Sequence, residues 1–172
     1  MSIDVTRWPA LPLGEWQDTY ATLHRWMQIV GKIRLSRMPW SNHSWHVVLY
    51  VTAQGLTTSP IHYGSRTFEI DFDFIDYQLS IRDCDGGERK LPLRAQPVAD
   101  FHRALLGELD ALGLGVAIHG RPNEVEDAIP FAEDRVHASY DPEYANRWWR
   151  ILVQADRVFS QFRARFIGRP ER

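Results

Sequence analysis

Residues 68–74 read Phe-Glu-Ile-Asp-Phe-Asp-Phe, an unbroken alternation of apolar and acidic side chains. Successive side chains of a β-strand point to opposite faces, so a strand here is apolar on one face and carries Glu69, Asp71 and Asp73 on the other. The apolar face must be covered by a core. The acidic face is either a solvated sheet surface or the floor of a functional cleft, and both interpretations stay open at the level of sequence.

Composition limits the class of protein. The chain has 172 residues, 44% of them hydrophobic, and contains seven Trp, which is enough apolar and aromatic material for one sizeable core or for a core and an interface. The formal net charge of −2 argues against a general nucleic-acid binder. Cys84 is the only cysteine, which excludes an intramolecular disulfide and a cysteine-rich zinc site. No apolar stretch approaches the ~18 residues of a membrane span, and residues 1–7 lack a signal-peptide pattern. We expect one cytoplasmic domain over residues 1–172.

The order of predicted elements indicates the fold class. Apolar residues at helical spacing predict a helix over residues 15–35, and alternating patterns then predict strands from His46 to Ala53, over 68–74, over 77–82 and over 89–93. The connection from Leu56 to Gly64 contains a further strand-like piece. The sequence therefore predicts an α+β fold, with an antiparallel β-meander of four to six strands packed against three main helices.

The second half of the chain supplies the other helices. Pro97 begins a helix that Gly113 ends, residues 115–119 are compatible with a short extra strand, and residues 121–138 have the composition of an acidic surface loop. The Asp-Pro-Glu sequence at 141–143 is typical of a helix start. The helix that follows is predicted to reach residue 167. Its predicted inward residues are Tyr144, Trp148, Leu152, Ala155, Phe159, Phe162 and Phe166.

The acidic strand is the first candidate site. Register predicts that Glu69, Asp71 and Asp73 share a face with Gln78, Ser80 and Arg82, and a strand from His46 would place that imidazole on the same side. Neighbouring carboxylates raise one another's pKa and suit proton transfer or metal binding, and His with carboxylates suits iron, manganese or zinc. The structural alternative is a wet sheet face neutralised by Arg82.

Three other segments carry candidate chemistry. The connection before the acidic strand concentrates hydroxyls with His62, Tyr63 and Arg66, which is typical either of a ligand-contacting loop or of a packed Ω-type loop. His43 and His46 would point to opposite faces of a strand, so joint metal binding has little support. From residue 141 onward seven Arg accompany four acids, a pattern that suits an anionic partner but is more often a solvated helix face.

The chain also resembles a family of uncharacterised bacterial proteins known only as a domain of unknown function. The resemblance covers nearly the whole chain and rests on residues 8–12, 19–24, 28–35, 55–61, 68–74, 137–143 and 162–168. Longer members of that family look as though they continue into a second part rich in His, Trp and acidic residues. The resemblance therefore implies that this chain is one half of a composite, which pairs with itself or with a separately encoded partner chain.

Two function classes follow. The first is a small-molecule-binding domain, alone or as part of an enzyme, with His46, Glu69, Asp71 and Asp73 lining a cleft on the acidic face and Tyr63 and Arg66 at its rim. The second is a non-catalytic interaction domain that uses its Trp-rich helices to bind a second copy or another protein. The sequence assigns no metal site, and it leaves the ligand, any cofactor and any catalytic residue unidentified.

Overall fold

The computed structural model describes residues 8–165. Its elements, in chain order, are helix α1 (Leu13–Arg37), a 3₁₀ segment (Asn42–Val47), strands β1 (Tyr50–Val51), β2 (Gly55–Thr57), β3 (Ile61–Tyr63), β4 (Arg66–Asp73), β5 (Gln78–Asp83) and β6 (Glu88–Pro92), and helices α2 (Val98–Ala111) and α3 (Pro142–Ala164). The α+β class, the antiparallel meander and the three main helices are confirmed. Among the described residues, no helix is long and apolar enough to cross a membrane.

The six strands form one antiparallel sheet in the order β1-β2-β4-β5-β6, and β3 pairs with β4 beside β2. The acidic strand β4 is central, and the predicted register of its hairpin with β5 is confirmed: Glu69 lies opposite Arg82, and Asp71 opposite Ser80. Thr58 joins β2 to β3 by pairing with Ile70 through both its backbone amide and its hydroxyl. Ser59, at a φ of 57°, then kinks the chain, so β2 and β3 are one strand with an interruption.

The core lies between the apolar face of the sheet and the helices. The apolar side chains of β4 are buried together with residues of α1, α2 and the first turns of α3. Trp26 of α1 stacks on Phe101 of α2, with ring centroids 4.6 Å apart, and on Tyr140 just before α3. These aromatic contacts bring helices that are distant in sequence onto one side of the sheet, and the opposite side remains partly exposed, as is common in antiparallel sheets.

The strand predicted from His46 to Ala53 is wrong over most of its length. His43 and Ser44 adopt left-handed backbone angles, so residues 42–47 coil into the 3₁₀ segment and only Tyr50 and Val51 pair as β1. The alternation of apolar residues across this region is real, but it does not report the left-handed turn. The short extra strand with which residues 115–119 are compatible does not form, and the chain makes an irregular connection there.

Helix α3 begins as predicted and then leaves the core. Asp141 accepts hydrogen bonds from the backbone amides of Glu143 and Tyr144, at 2.8 and 3.1 Å, which caps the helix. The inward assignment of Phe159 and Phe162 is wrong, since their exposed fractions are 69% and 73%. The helical spacing is correct, but no other part of the described chain reaches that far along α3. Phe166 and the predicted end at 167 lie outside the described residues.

The connection between α2 and α3 is irregular but is not simply a surface loop. Gly113, at a φ of 67°, ends α2 as predicted. Farther along, Phe131 and Asp134 are completely buried. Asp134 lies 3.2 Å from Arg25 Nε and accepts hydrogen bonds from the amides of Val136 and His137. This buried ion pair fastens the connection to α1.

Candidate functional site

The acidic face of the sheet is largely neutralised by its own arginine. Arg82 Nη2 lies 2.9 Å from Glu69 Oε1 and also contacts Asp71. Asp73 is occupied differently: its Oδ1 accepts hydrogen bonds from the amides of Ile75 and Asp76, at 2.7 and 2.8 Å, and so holds the β4–β5 turn. The three carboxylates share a face as predicted, but each already has a structural partner.

The carboxyl group of Asp71 has a raised pKa. Burial raises its pKa above the ordinary value, and the neighbouring charge of Glu69 raises it further. A hydrogen bond from Thr57 and the charge of Arg82 act in the opposite direction. The side chain of Asp71 keeps 20% exposure, so this group is held against the sheet rather than sealed inside the protein.

The other three predicted site residues lie elsewhere. His46 is buried in the 3₁₀ segment, where its Nδ1 accepts a hydrogen bond from the amide of Ser41. Arg66 belongs to the same face of β4 as its buried apolar residues, and it pairs with Asp83 and Asp85 at 2.7 Å. Tyr63 lies opposite Arg66 in the sheet and packs under the guanidinium of Arg37. The predicted cleft uniting all six residues is therefore not formed, and the ligand-binding roles stay predictions.

A cavity of about 650 Å³ lies on the helix side of the sheet, between α1, the 3₁₀ segment, β1, β2, the residues around 123 and α3. Its volume lies within the usual range of small-molecule sites. Its wall is mostly aliphatic, with one indole. The apolar lining residues are Met27, Gly31, Leu35, Val47, Leu49, Val51, Leu56, Trp148 and Leu152.

Gly31 shows why α1 can form part of this wall. A Cβ atom at this position would lie 3.3 Å from the carbonyl oxygen of Val47, which is closer than most such contacts. Glycine therefore allows the 3₁₀ segment to approach the helix closely, and this approach sets one wall of the cavity.

A polar ladder on α1 forms one part of the rim of the cavity, and Asn123 and Glu124 form another. His24, Gln28 and Lys32 are spaced four residues apart and therefore line one side of the helix. The amide of Gln28 makes a two-point contact with the backbone of Asn123: its Nε2 donates to the carbonyl at 2.9 Å and its Oε1 accepts from the amide at 2.7 Å. Lys32 Nζ donates to Asn123 Oδ1 at 2.7 Å. The rim is thus built from segments about ninety residues apart in sequence.

Burial shapes the electrostatics of this rim. It lowers the pKa of His24, and the charge of Arg25 lowers it further, whereas Glu124 raises it. The imidazole is therefore neutral at pH 7. Burial also lowers the pKa of Lys32, which means that its ammonium group has lost part of its hydration. An anion placed beside Lys32 would replace that lost hydration.

Sequence reasoning missed this cavity. Arg25 of α1 is buried against Asp134, and Lys32 of the same helix stands at the cavity rim. The one available signal was the i, i+4 spacing of His24, Gln28 and Lys32. Within residues 8–165, no group of three or more His, Cys, Asp or Glu side chains is arranged to hold a metal ion.

The sequence of this chain matches a family of unknown function, DUF5996, over residues 8–172. The chain belongs to this family. The resemblance noted from the sequence is thereby confirmed as far as an uncharacterised domain, and membership brings no activity with it. No curated protein and no solved structure matches the chain. The function of this DUF5996 chain must therefore be argued from its own geometry.

Proposed function

We propose that the chain binds an amphipathic organic anion in the cavity between α1, the 3₁₀ segment and α3. The observation that carries the proposal is the combination of a largely aliphatic wall with one partly desolvated cation, Lys32, at the rim. An apolar cavity with a few convergent polar groups is the usual form of a small-molecule site. The apolar body of the ligand fills the cavity, and its carboxylate or similar head lies against Lys32.

The polar rim fits this orientation of the ligand. Lys32 donates one hydrogen bond to Asn123 and, as an ammonium group, has further donors to offer an anionic head. Gln28 holds Asn123 in place, so the cation and the rim are positioned before the ligand arrives. The acidic sheet face is a weaker candidate for a binding site than the cavity, because Arg82 and the β4–β5 turn already engage its carboxylates.

The chain has only two lysines, which provides a matched pair of variants. The probe is 8-anilinonaphthalene-1-sulfonate, an amphipathic anion, followed by fluorescence titration, with decanoate as competitor. We expect one saturable site, and Lys32→Met should weaken binding by roughly tenfold to a hundredfold, the usual value of a charge-assisted hydrogen bond. Lys90→Met, on the exposed strand β6, should leave binding unchanged.

A second variant tests the cavity itself. Met27→Trp adds bulk to the apolar wall and should abolish binding of the probe, while circular dichroism confirms an intact fold. Because the pKa of Lys32 is lowered, binding to the wild type should weaken as pH rises through that lowered value, and Lys32→Met should lack this dependence. Equal binding by Lys32→Met and Lys90→Met, or binding unaffected by Met27→Trp, would contradict the proposal.

We further propose a reducing compartment such as the cytoplasm for this activity. Cys84 is free and exposed on the approach to the β5–β6 turn, a position in which an oxidising environment would favour cross-linked dimers.

A further inference from the structure

The side-chain amide of Gln28 is held in one orientation by the backbone of Asn123. Its Nε2 donates to the carbonyl oxygen at 2.9 Å, and its Oε1 accepts from the backbone amide at 2.7 Å. A backbone carbonyl can only accept a hydrogen bond and a backbone amide can only donate one, so the reversed side chain would lose both bonds. The loop around residue 123 therefore determines which way the Gln28 amide faces.

This orientation fixes the protonation state of His24, one turn earlier on α1. Gln28 Nε2 lies 3.2 Å from His24 Nε2 and has a second N–H to donate, so the imidazole nitrogen must be the acceptor. Neutral His24 then carries its proton on Nδ1. An imidazolium would turn an N–H towards the N–H of Gln28, and the contact would become repulsive. The closed rim therefore accepts only neutral His24.

Protonation of His24 gives the Gln28 amide a second stable arrangement. A half-turn about its last side-chain bond brings Oε1 to the protonated Nε2 of His24, where it accepts a charge-assisted hydrogen bond. The same half-turn reverses the amide relative to Asn123, so both hydrogen bonds to the loop are lost. Gln28 can therefore satisfy either an imidazolium at position 24 or the backbone of the loop, but not both at once.

The surroundings of His24 favour such a two-state contact. Burial lowers the pKa of the imidazole, the charge of Arg25 on the same helix lowers it further, and Glu124 in the loop raises it. Lys32 lies two turns farther along α1. Among the described residues, the neighbours of the ring that are uncharged at neutral and acid pH include Tyr20, which stacks on it, and Trp148 and Leu152 of α3, which line the cavity with it.

We propose that His24 and Gln28 form a proton-operated latch on the rim of the cavity. With His24 neutral, Gln28 fastens the loop around residue 123 to α1. With His24 protonated, Gln28 turns to the imidazolium and the loop is released. Because Lys32 donates to the side chain of Asn123 at 2.7 Å, release also removes a contact that positions the cation. The latch thus regulates the anion site, and this regulatory role rests on the proposed function.

The direction of the pH effect follows from linkage. In the closed state, burial and the contact with Gln28 oppose protonation of His24, whereas in the open state the imidazole takes up a proton near its ordinary pKa. Below that ordinary value, protons therefore favour the open state, by up to about tenfold per pH unit. The effect ends at the lowered pKa of the closed state, below which both states carry the proton.

Hydrogen exchange of the Asn123 amide, followed by NMR without any ligand, tests the latch. Between about pH 7 and about pH 5, protection of this amide relative to an unstructured peptide should fall by up to about tenfold per pH unit. His24→Gln supplies an acceptor that does not titrate, so its protection should stay constant. The matched control is His102→Gln on α2, which removes another histidine whose pKa burial lowers and should behave as the wild type does.

Glu124→Gln and the fluorescent probe complete the test. Because the charge of Glu124 favours protonation of His24, Glu124→Gln should move the loss of protection to lower pH. Constant protection in the wild type, or the same loss in His24→Gln, would overturn the latch. The sulfonate of 8-anilinonaphthalene-1-sulfonate stays ionised over this range, so its affinity should fall with the protection in the wild type and not in His24→Gln. Probe affinity that ignores opening of the loop would overturn the regulatory role, whereas a probe that binds at no pH would contradict the proposed function and leave the exchange data to decide on the latch.

Discussion

The two faces of the sheet carry their polar groups in opposite ways. On the exposed face, Glu69, Asp71 and Arg82 come from neighbouring strands and satisfy one another. On the helix side, the cavity is apolar, and its polar rim is assembled from α1 and a loop about ninety residues farther along. In the first arrangement the charges neutralise one another. In the second, the ammonium group of Lys32 keeps further hydrogen-bond donors for a ligand. An acidic row that is conspicuous in sequence is therefore a weaker sign of a binding site than a desolvated group beside empty apolar space.

The largest expected effect is on the free energy of unfolding, and it should be much greater at a buried ion pair than at an exposed one. Asp134→Ala should destabilise the protein by about 3–5 kcal/mol, because it leaves Arg25 buried without its partner beneath the loop that carries the cavity rim. Arg82→Ala on the sheet face should cost about 1 kcal/mol or less, since its side chain is half exposed. Urea unfolding measures both free energies.

A variant that retains more of the local structure guards against a failure to fold. Asp134→Asn keeps an oxygen for the amides of Val136 and His137 but removes the charge that faces Arg25. It should still lose more stability than Arg82→Ala. Similar losses for the two positions would show that burial does not separate the helix side from the sheet face.

An intermediate effect is expected at the cavity rim. Gln28→Ala removes both hydrogen bonds to the backbone of Asn123, with a net cost of about 1 kcal/mol, and should speed hydrogen exchange at the Asn123 amide. The matched control is Gln78→Ala on β5, which should leave that amide unchanged. Unchanged exchange at Asn123 in the Gln28 variant would mean that the loop is held by other contacts.

The sequence was sufficient where the decisive interactions are local. The alternation of residues 68–74, the Asp141 cap and the register that brings Glu69 opposite Arg82 all depend on neighbouring residues or on a single hairpin. The α+β class followed from these elements. The acidic row of the candidate site was predicted for the same reason.

The sequence was insufficient where an unusual backbone conformation, or contacts between segments distant in sequence, determine the structure. The left-handed His43 and Ser44 remove His46 from the strand that its neighbours favour. Arg66 lies on the same face as the core residues of β4, yet it stays half-buried because Asp83 and Asp85 neutralise it there. The cavity requires α1, the loop at residue 123 and α3 to meet, and no local pattern reports that meeting.

The smallest expected effect tests whether the acidic face is a structural surface. Because burial raises the pKa of Asp71, the folded protein holds this proton to higher pH than the unfolded chain does. Its ionisation therefore opposes folding as pH rises from the ordinary carboxyl value to the raised one. Asp71→Asn should abolish this part of the pH dependence and leave stability at pH 7 within about 0.5 kcal/mol of the wild type.

The neighbouring carboxylate supplies the control for that measurement. Asp73→Asn keeps an oxygen for the amides of Ile75 and Asp76 and leaves Asp71 in place. It should therefore retain the contribution of Asp71 to the pH dependence, somewhat reduced because the charge of Asp73 also raises the pKa of Asp71. If Asp71→Asn follows the wild-type curve instead, the proton is not held where the geometry places it. If Asp71→Asn loses this pH dependence as expected and still binds the anionic probe as the wild type does, the acidic face is a structural surface. The ligand site is then expected on the helix side of the sheet.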